Sequence, residues 1–155
     1  MIPKFLVAGI AGVASTLVFG SAGSAHHGVT GRYDGASPLL ISGSVEAATF
    51  APPHPVLTVR VDGAGRVDAQ TGRPEEYFGA VIVPEAMVGN SHEIELSPVS
   101  MFYRLSEVLE PGDRITLVAL RNCLPPHQLR STWVRLESGE VRSYEGDWAP
   151  VVETC

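Results

Sequence analysis

Positive charge is scarce in this chain, with 11 Lys+Arg against 17 Asp+Glu in 155 residues and a formal net charge of -6. Lys4 is the one charged residue before position 25, so the remainder of the chain carries 10 basic against 17 acidic residues, a net of -7. A chain so poor in cations does not offer the basic face that a phosphate backbone requires, which excludes nucleic acid as the expected partner. The same shortage argues against docking on anionic lipid. The acidic excess reads as a solubility feature. Catalytic motifs are missing as well: there is no Gly-rich phosphate loop, no nucleophile elbow and no His-Glu-x-x-His zinc helix. Glu75-Glu76 would point apart in a strand, so the pair reads as a solvated turn rather than a catalytic dyad. No enzyme is expected. Repeats and low-complexity tracts are absent, and no apolar run reaches the roughly 20 residues of a membrane-spanning helix.

Hydrophobic residues make up 45% and charged residues 18%, which excludes general disorder and fits one globular domain after a targeting segment. Residues 1–25 carry that segment's pattern. Lys4 supplies the positive end, Phe5 to Phe19 an uncharged apolar stretch, and Gly20 to Ala25 the small residues that a signal peptidase cuts after. An uncleaved anchor is the competing reading. Export to the periplasm or beyond is the expectation, with no membrane anchor left after cleavage. Two cysteines, Cys123 and Cys155, lie in the exported part. In an oxidising compartment an even count favours a disulfide, against the alternative of two free thiols. Closing that loop would stabilise the fold by about 3.5 kcal/mol in the chain-entropy model. No C-x-x-C redox pair exists.

Residues 26–38 are rich in Gly, Ser and Asp and read as an extended N-terminal arm; residues 39–155 form the domain. Residues 39–50 alternate as a strand, with Ile41, Gly43, Val45 and Ala47 on one face. Gly43 suggests a bulge or bend. Pro52-Pro53-His54-Pro55 breaks that strand, and residues 56–62 resume the alternation before the turn Asp62-Gly63-Ala64-Gly65. Phe78–Val83 predicts a strand and His92–Leu96 a short one. Residues 98–109 predict a helix, capped by Ser97 with Pro98 in the first turn and Met101, Leu105, Val108 and Leu109 on its apolar face. Strands come next at Arg114–Arg121 and Leu129–Leu136, the latter joined to 140–144 by a turn at Ser138-Gly139. Strands, one helix, then strands suit a mainly β fold, a small partly open barrel of the OB kind, with a β-sandwich as the alternative.

The order of motifs resembles a family of small exported bacterial proteins classed as a domain of unknown function. Ala25-His26-His27-Gly28 is similar to that family's Ala-His-His-Ser start and Tyr33-Asp34 to its aromatic-Asp arm. Ile41-Ser42-Gly43-Ser44-Val45 matches a Leu-x-Gly-x-Val strand, Pro53-His54 an Asn-Pro-His motif, and Leu109-Glu110-Pro111-Gly112-Asp113 a Leu-x-Pro-Gly-Asp turn. Pro52 stands where the family has Asn, the middle of the chain diverges, and the two cysteines are not part of the pattern. The resemblance implies export and a barrel-like domain, and carries no activity.

Chemistry concentrates at His26 and His27. Cleavage after Ala25 would leave the α-amine and ring of His26 to chelate an ion, with His27 or His54 adding nitrogen. Cleavage after Ser24 would place His27 third, where amine, two amides and imidazole wrap Cu(II) in a plane. Nitrogen sets of this kind favour copper over zinc or nickel. Both sites need neutral imidazole and a deprotonated amine, so affinity falls with acid. His54, held between prolines, is the third metal-ligand candidate; as a bland alternative it is a turn histidine bonded to backbone. His92 and His127 stand alone. Trp133 and Trp148 could line a ligand face, though aromatic packing is the stronger expectation. The leading expectation is a periplasmic metal-handling protein. The alternatives are a metal-free binding or assembly module for a peptide or small molecule, and a structural envelope protein.

Overall fold

The computed structural model describes residues 31–155. Strands β1 (Arg32–Asp34), β2 (Leu39–Thr49), β3 (Val56–Val61) and β4 (Ser91–Leu96) precede a short helix α1 (Ser100–Tyr103). After it come β5 (Arg114–Arg121), β6 (Leu129–Leu136), β7 (Val141–Ser143) and β8 (Val151–Glu153). The sheet order β4-β3-β2-β5-β6 is closed by a parallel β4–β6 pairing, Ile94 opposite Leu129 and Leu96 opposite Ser131. This is a closed five-stranded barrel with its helical turn between the third and fourth barrel strands, as in an OB fold. Among the described residues no helix is long and apolar enough to cross a membrane.

The longest strand explains how the barrel closes. Residues 39–44 of β2 pair with β5, and residues 43–49 pair with β3, so one strand serves both halves of the barrel. Gly43 sits where the two ladders overlap. A Cβ there would lie 1.9 Å from the Arg60 carbonyl oxygen, so only glycine permits the approach. The bulge itself comes just after, between Val45 and Ala47. That extra residue turns Ala47 outward and sets Ala48 against the core, correcting the simple alternation expected from the sequence.

Inward residues of every barrel strand meet in one cluster that includes Ile41, Val45, Leu57, Val59, Ile94, Leu117 and Val134. The helical turn contributes Phe102, Leu105 and Leu109 to it. Its extent is a correction. The α-helix holds only Ser100–Tyr103 and tightens to a 3-10 turn over Arg104–Glu107. Ser97 does not cap it, because its hydroxyl donates instead to the Trp148 carbonyl at 2.9 Å. Phe102 takes the buried place that the helical pattern assigned to Met101, while Met101 and Val108 are exposed.

Residues 62–90 cross the outside of the barrel. The strand expected at Phe78–Val83 is absent; Ile82 makes a single bridge to Leu39, and Phe78 and Gly79 both bond the Gly35 carbonyl. Tyr77 and Val81 pack on Leu40, Val118 and Trp133, a second small core on the barrel's outer face. Arg73 pins this excursion from beneath. Its side chain, 5% exposed, forms ion pairs with Glu75, Glu76 and Glu145 and donates to the Tyr144 carbonyl. Cys123 and Cys155 are joined, with Cα atoms 5.5 Å apart. The described part of the expected arm is also paired, β1 running parallel to β8 from Arg32–Val151 to Asp34–Glu153.

Candidate functional site

The Pro-His turn lies between β2 and β3, and its neighbours hold it at both ends. The Tyr103 hydroxyl donates to the Pro53 carbonyl at 3.0 Å, and the Leu96 amide donates to the Pro55 carbonyl at 2.9 Å. The Pro52–Pro53 and Pro125–Pro126 peptide bonds are cis. Between prolines the His54 ring is 6% exposed, and its Nδ1 has no hydrogen-bond partner. Burial lowers the His54 pKa, the adjacent Arg130 charge lowers it further, and a backbone hydrogen bond with Leu96 opposes both. The imidazole is therefore neutral at neutral pH, with a nitrogen lone pair committed to nothing.

Arg130 is the residue that sequence reasoning missed. It lies on β6 opposite Glu95 of β4 and is 1% exposed. Its Nη2 donates to the Trp148 carbonyl at 2.8 Å, the same oxygen that accepts from Ser97. Gln128 donates to the Glu95 carboxylate beside it. The strand LRSTWVRL mixes polar and apolar residues, so Arg130 carries no signal along the chain and becomes informative only when a later segment covers it. Trp148 supplies that cover through its backbone, while its ring is 47% exposed and does not join the core. Trp133 does, at 2% exposed.

Of the metal-ligand candidates, only His54 falls among the described residues; His26, His27 and the whole 1–25 segment lie outside them. Among the described residues no three His, Cys, Asp or Glu side chains are placed to hold a metal ion. His54 could contribute one nitrogen and would need ligands from elsewhere. His92 is half-buried on β4 with an Nε2 that lacks a partner, and His127 is exposed with its Nδ1 3.0 Å from the Asn122 carbonyl. Glu75 and Glu76 stand on a 3-10 turn and answer the Arg73 charge, so they act as ion-pair partners.

A separate groove of about 350 Å3 opens on the outer face where β5 begins and β6 ends. Ser42, Gly65, Arg66, Arg114, Thr116 and Arg135 line it. Asp62 holds Arg114 at 2.5 Å, Asp68 holds Arg135 at 2.6 Å, and Arg135 lies 5.0 Å over the Trp133 ring. Burial pushes the Asp62 carboxyl up, but hydrogen bonds from the Ala64 amide and from Arg114 outweigh it and leave its pKa lowered. The Asp68 carboxyl is lowered to about 2, first by the Arg135 hydrogen bond and then by those from Gln70 and Thr71. Comparison with protein-family models, with curated proteins and with solved structures gives no match to this chain.

Proposed function

We propose that this is an exported small-barrel protein that binds a metal ion, with copper favoured over zinc and nickel. His26, His27 and the α-amine freed by processing supply ligands, and His54 is the ligand that the folded domain positions. One observation carries the reading: a buried, neutral imidazole fixed between prolines keeps an unpartnered Nδ1. Leaving such a nitrogen unsatisfied is costly unless something meets it. The resemblance to exported proteins with an Ala-His-His start supports export alone. Arg130 beside the ring opposes a bare cation. A Cu(II) site built with deprotonated backbone amides carries compensating negative charge, which fits that neighbour better than a neutral ligand set.

The test is Cu(II) titration of correctly processed protein, its N-terminus read by intact mass, beside His26→Ala, His27→Ala and His54→Ala. Loss of His54 is expected to weaken binding by about tenfold or more, since even an outer-shell partner is worth that much. Wild-type binding no tighter than that of a free peptide with the same N-terminal residues would refute a folded site.

The groove between Arg66, Arg114 and Arg135 favours a second reading, a metal-free binding module for a small molecule or peptide. Its volume is in the range of small-ligand sites. Failure of the copper titration, together with chemical-shift changes confined to Ser42, Thr116 and Arg135 on adding small carboxylates, would favour it.

A further inference from the structure

The chain after β7 is held down in an unusual manner. Residues 145–155 bring no large apolar side chain fully into the core: the Trp148 ring and Val151 are exposed, and Val152 is half-buried. Polar contacts hold the segment instead. Glu145 pairs with Arg73 at 2.6 Å, and the Trp148 carbonyl accepts from Ser97 and Arg130. β8 adds three residue pairs to β1, with an exposed Arg32–Glu153 ion pair at 2.9 Å. A two-stranded sheet of this length is not stable alone, and exposed ion pairs add little. The Cys123–Cys155 bridge adds a covalent tie from the end of this segment to the residue two beyond β5. Cys155 is an exposed residue and Cys123 is half-buried, so the bridge lies at the surface.

Beneath the segment lie the buried Ser97 and Arg130 side chains, both donating to the Trp148 carbonyl. Ser97 follows Leu96, whose backbone bonds His54, and the Arg130 charge acts on the same ring. The Trp148 carbonyl thus bridges Ser97 and Arg130, the two residues next to the groups that meet the His54 ring.

We propose that residues 145–155 are a redox-released strap: reducing Cys123–Cys155 frees the segment and uncovers Arg130, Ser97 and His54. The reductant is a dithiol. One of its thiolates attacks a protein sulfur, the Cys123–Cys155 bond breaks and a mixed disulfide forms. The second thiol then displaces the protein sulfur, so both cysteines end as thiols and the dithiol as a disulfide. As regulation of the site described above, the proposal rests on that reading for its purpose, while the release is independent of any metal.

The experiment is hydrogen exchange and diethyl pyrocarbonate labelling of the full processed chain, metal-free, followed by peptide mapping. Oxidised protein is compared with dithiothreitol-reduced protein and with a Cys123→Ser, Cys155→Ser double variant. Exchange at residues 145–153 is expected to speed by on the order of a hundredfold, following the loop-closure constraint lost. Labelling of His54 is expected to rise by on the order of tenfold with it, while amides of β2 and β5 keep their protection. Unchanged exchange over 145–153 overturns the proposal, as does release without a rise at His54. Loss of protection in β2 and β5 also overturns it, because the disulfide would then support the whole barrel. A released strap in a protein that fails the copper titration would sink the metal reading and leave the strap standing.

Discussion

Replacing Arg73 with methionine removes the cation that ties residues 62–90 to the end of β7 while keeping most of its aliphatic bulk. Three carboxylates lose their partner. Glu75 and Glu145 are exposed, so each pair is worth about 0–1 kcal/mol. Glu76 is 21% exposed and lies 2.5 Å from the guanidinium, so it is the one left in a poor dielectric. Breaking a fully buried pair costs about 3–5 kcal/mol; partial exposure of Glu76 brings the expected total to roughly 2–3 kcal/mol. Glu76 has a raised pKa despite this ion pair. Burial outweighs the Arg73 attraction, and Glu75 and Glu145 crowd the same cation with like charge. A carboxyl raised in the folded state binds its proton more tightly there than when unfolded. Its ionisation therefore costs stability above the unfolded value and costs nothing well below it. Removing Arg73 raises the group further, so the variant's deficit is largest at pH 7 and shrinks on acidification toward and below the ordinary glutamate range. Urea denaturation at pH 7 and pH 4 reads this directly. With a slope of about 2 kcal/mol/M the midpoint at pH 7 falls by about 1 M or slightly more. An equal deficit at both pH values, or one under about 0.5 kcal/mol at pH 7, would refute the account of Arg73 as a shared counter-ion.

Other outcomes rest on the packing. Phe102→Ala empties a fully buried place under the helical turn and is expected to cost about 3–5 kcal/mol in chemical denaturation; Met101→Ala, on an exposed site, should stay within about 0.5 kcal/mol. Gly43→Ala drives a methyl into the Arg60 carbonyl and should destabilise by on the order of 3 kcal/mol or prevent folding; a neutral result by thermal melting would contradict the close approach of β2 to β3. Asp68 should titrate near 2 by NMR, and Arg135→Gln should return it toward the ordinary aspartate range. Because its pKa is depressed on folding, its contribution is present above the unfolded value and is lost as pH falls through the folded one.

Local patterning settled a great deal of this protein. Alternation located β2 and β3, because a strand with one face in the core and one outside shows a period of two that its register must respect. Gly63 and Gly139, at φ of 67° and 88°, mark turns that sequence can announce because few other residues adopt that backbone. The cysteine pairing was equally legible, since two cysteines allow one intramolecular bridge. Position in space decided the rest. The Ser97 hydroxyl, expected to cap the helix, is taken by a carbonyl 51 residues away, a partner that no local rule contains. Phe78–Val83 has strand composition, yet β2 offers it only a single bridge at Leu39. Arg73 and Arg130 drew no reading along the chain, and they are buried because distant segments fold over them. His54 could be named from its prolines alone, but its lowered pKa comes first from burial and then from Arg130, and both exist only once the barrel has closed.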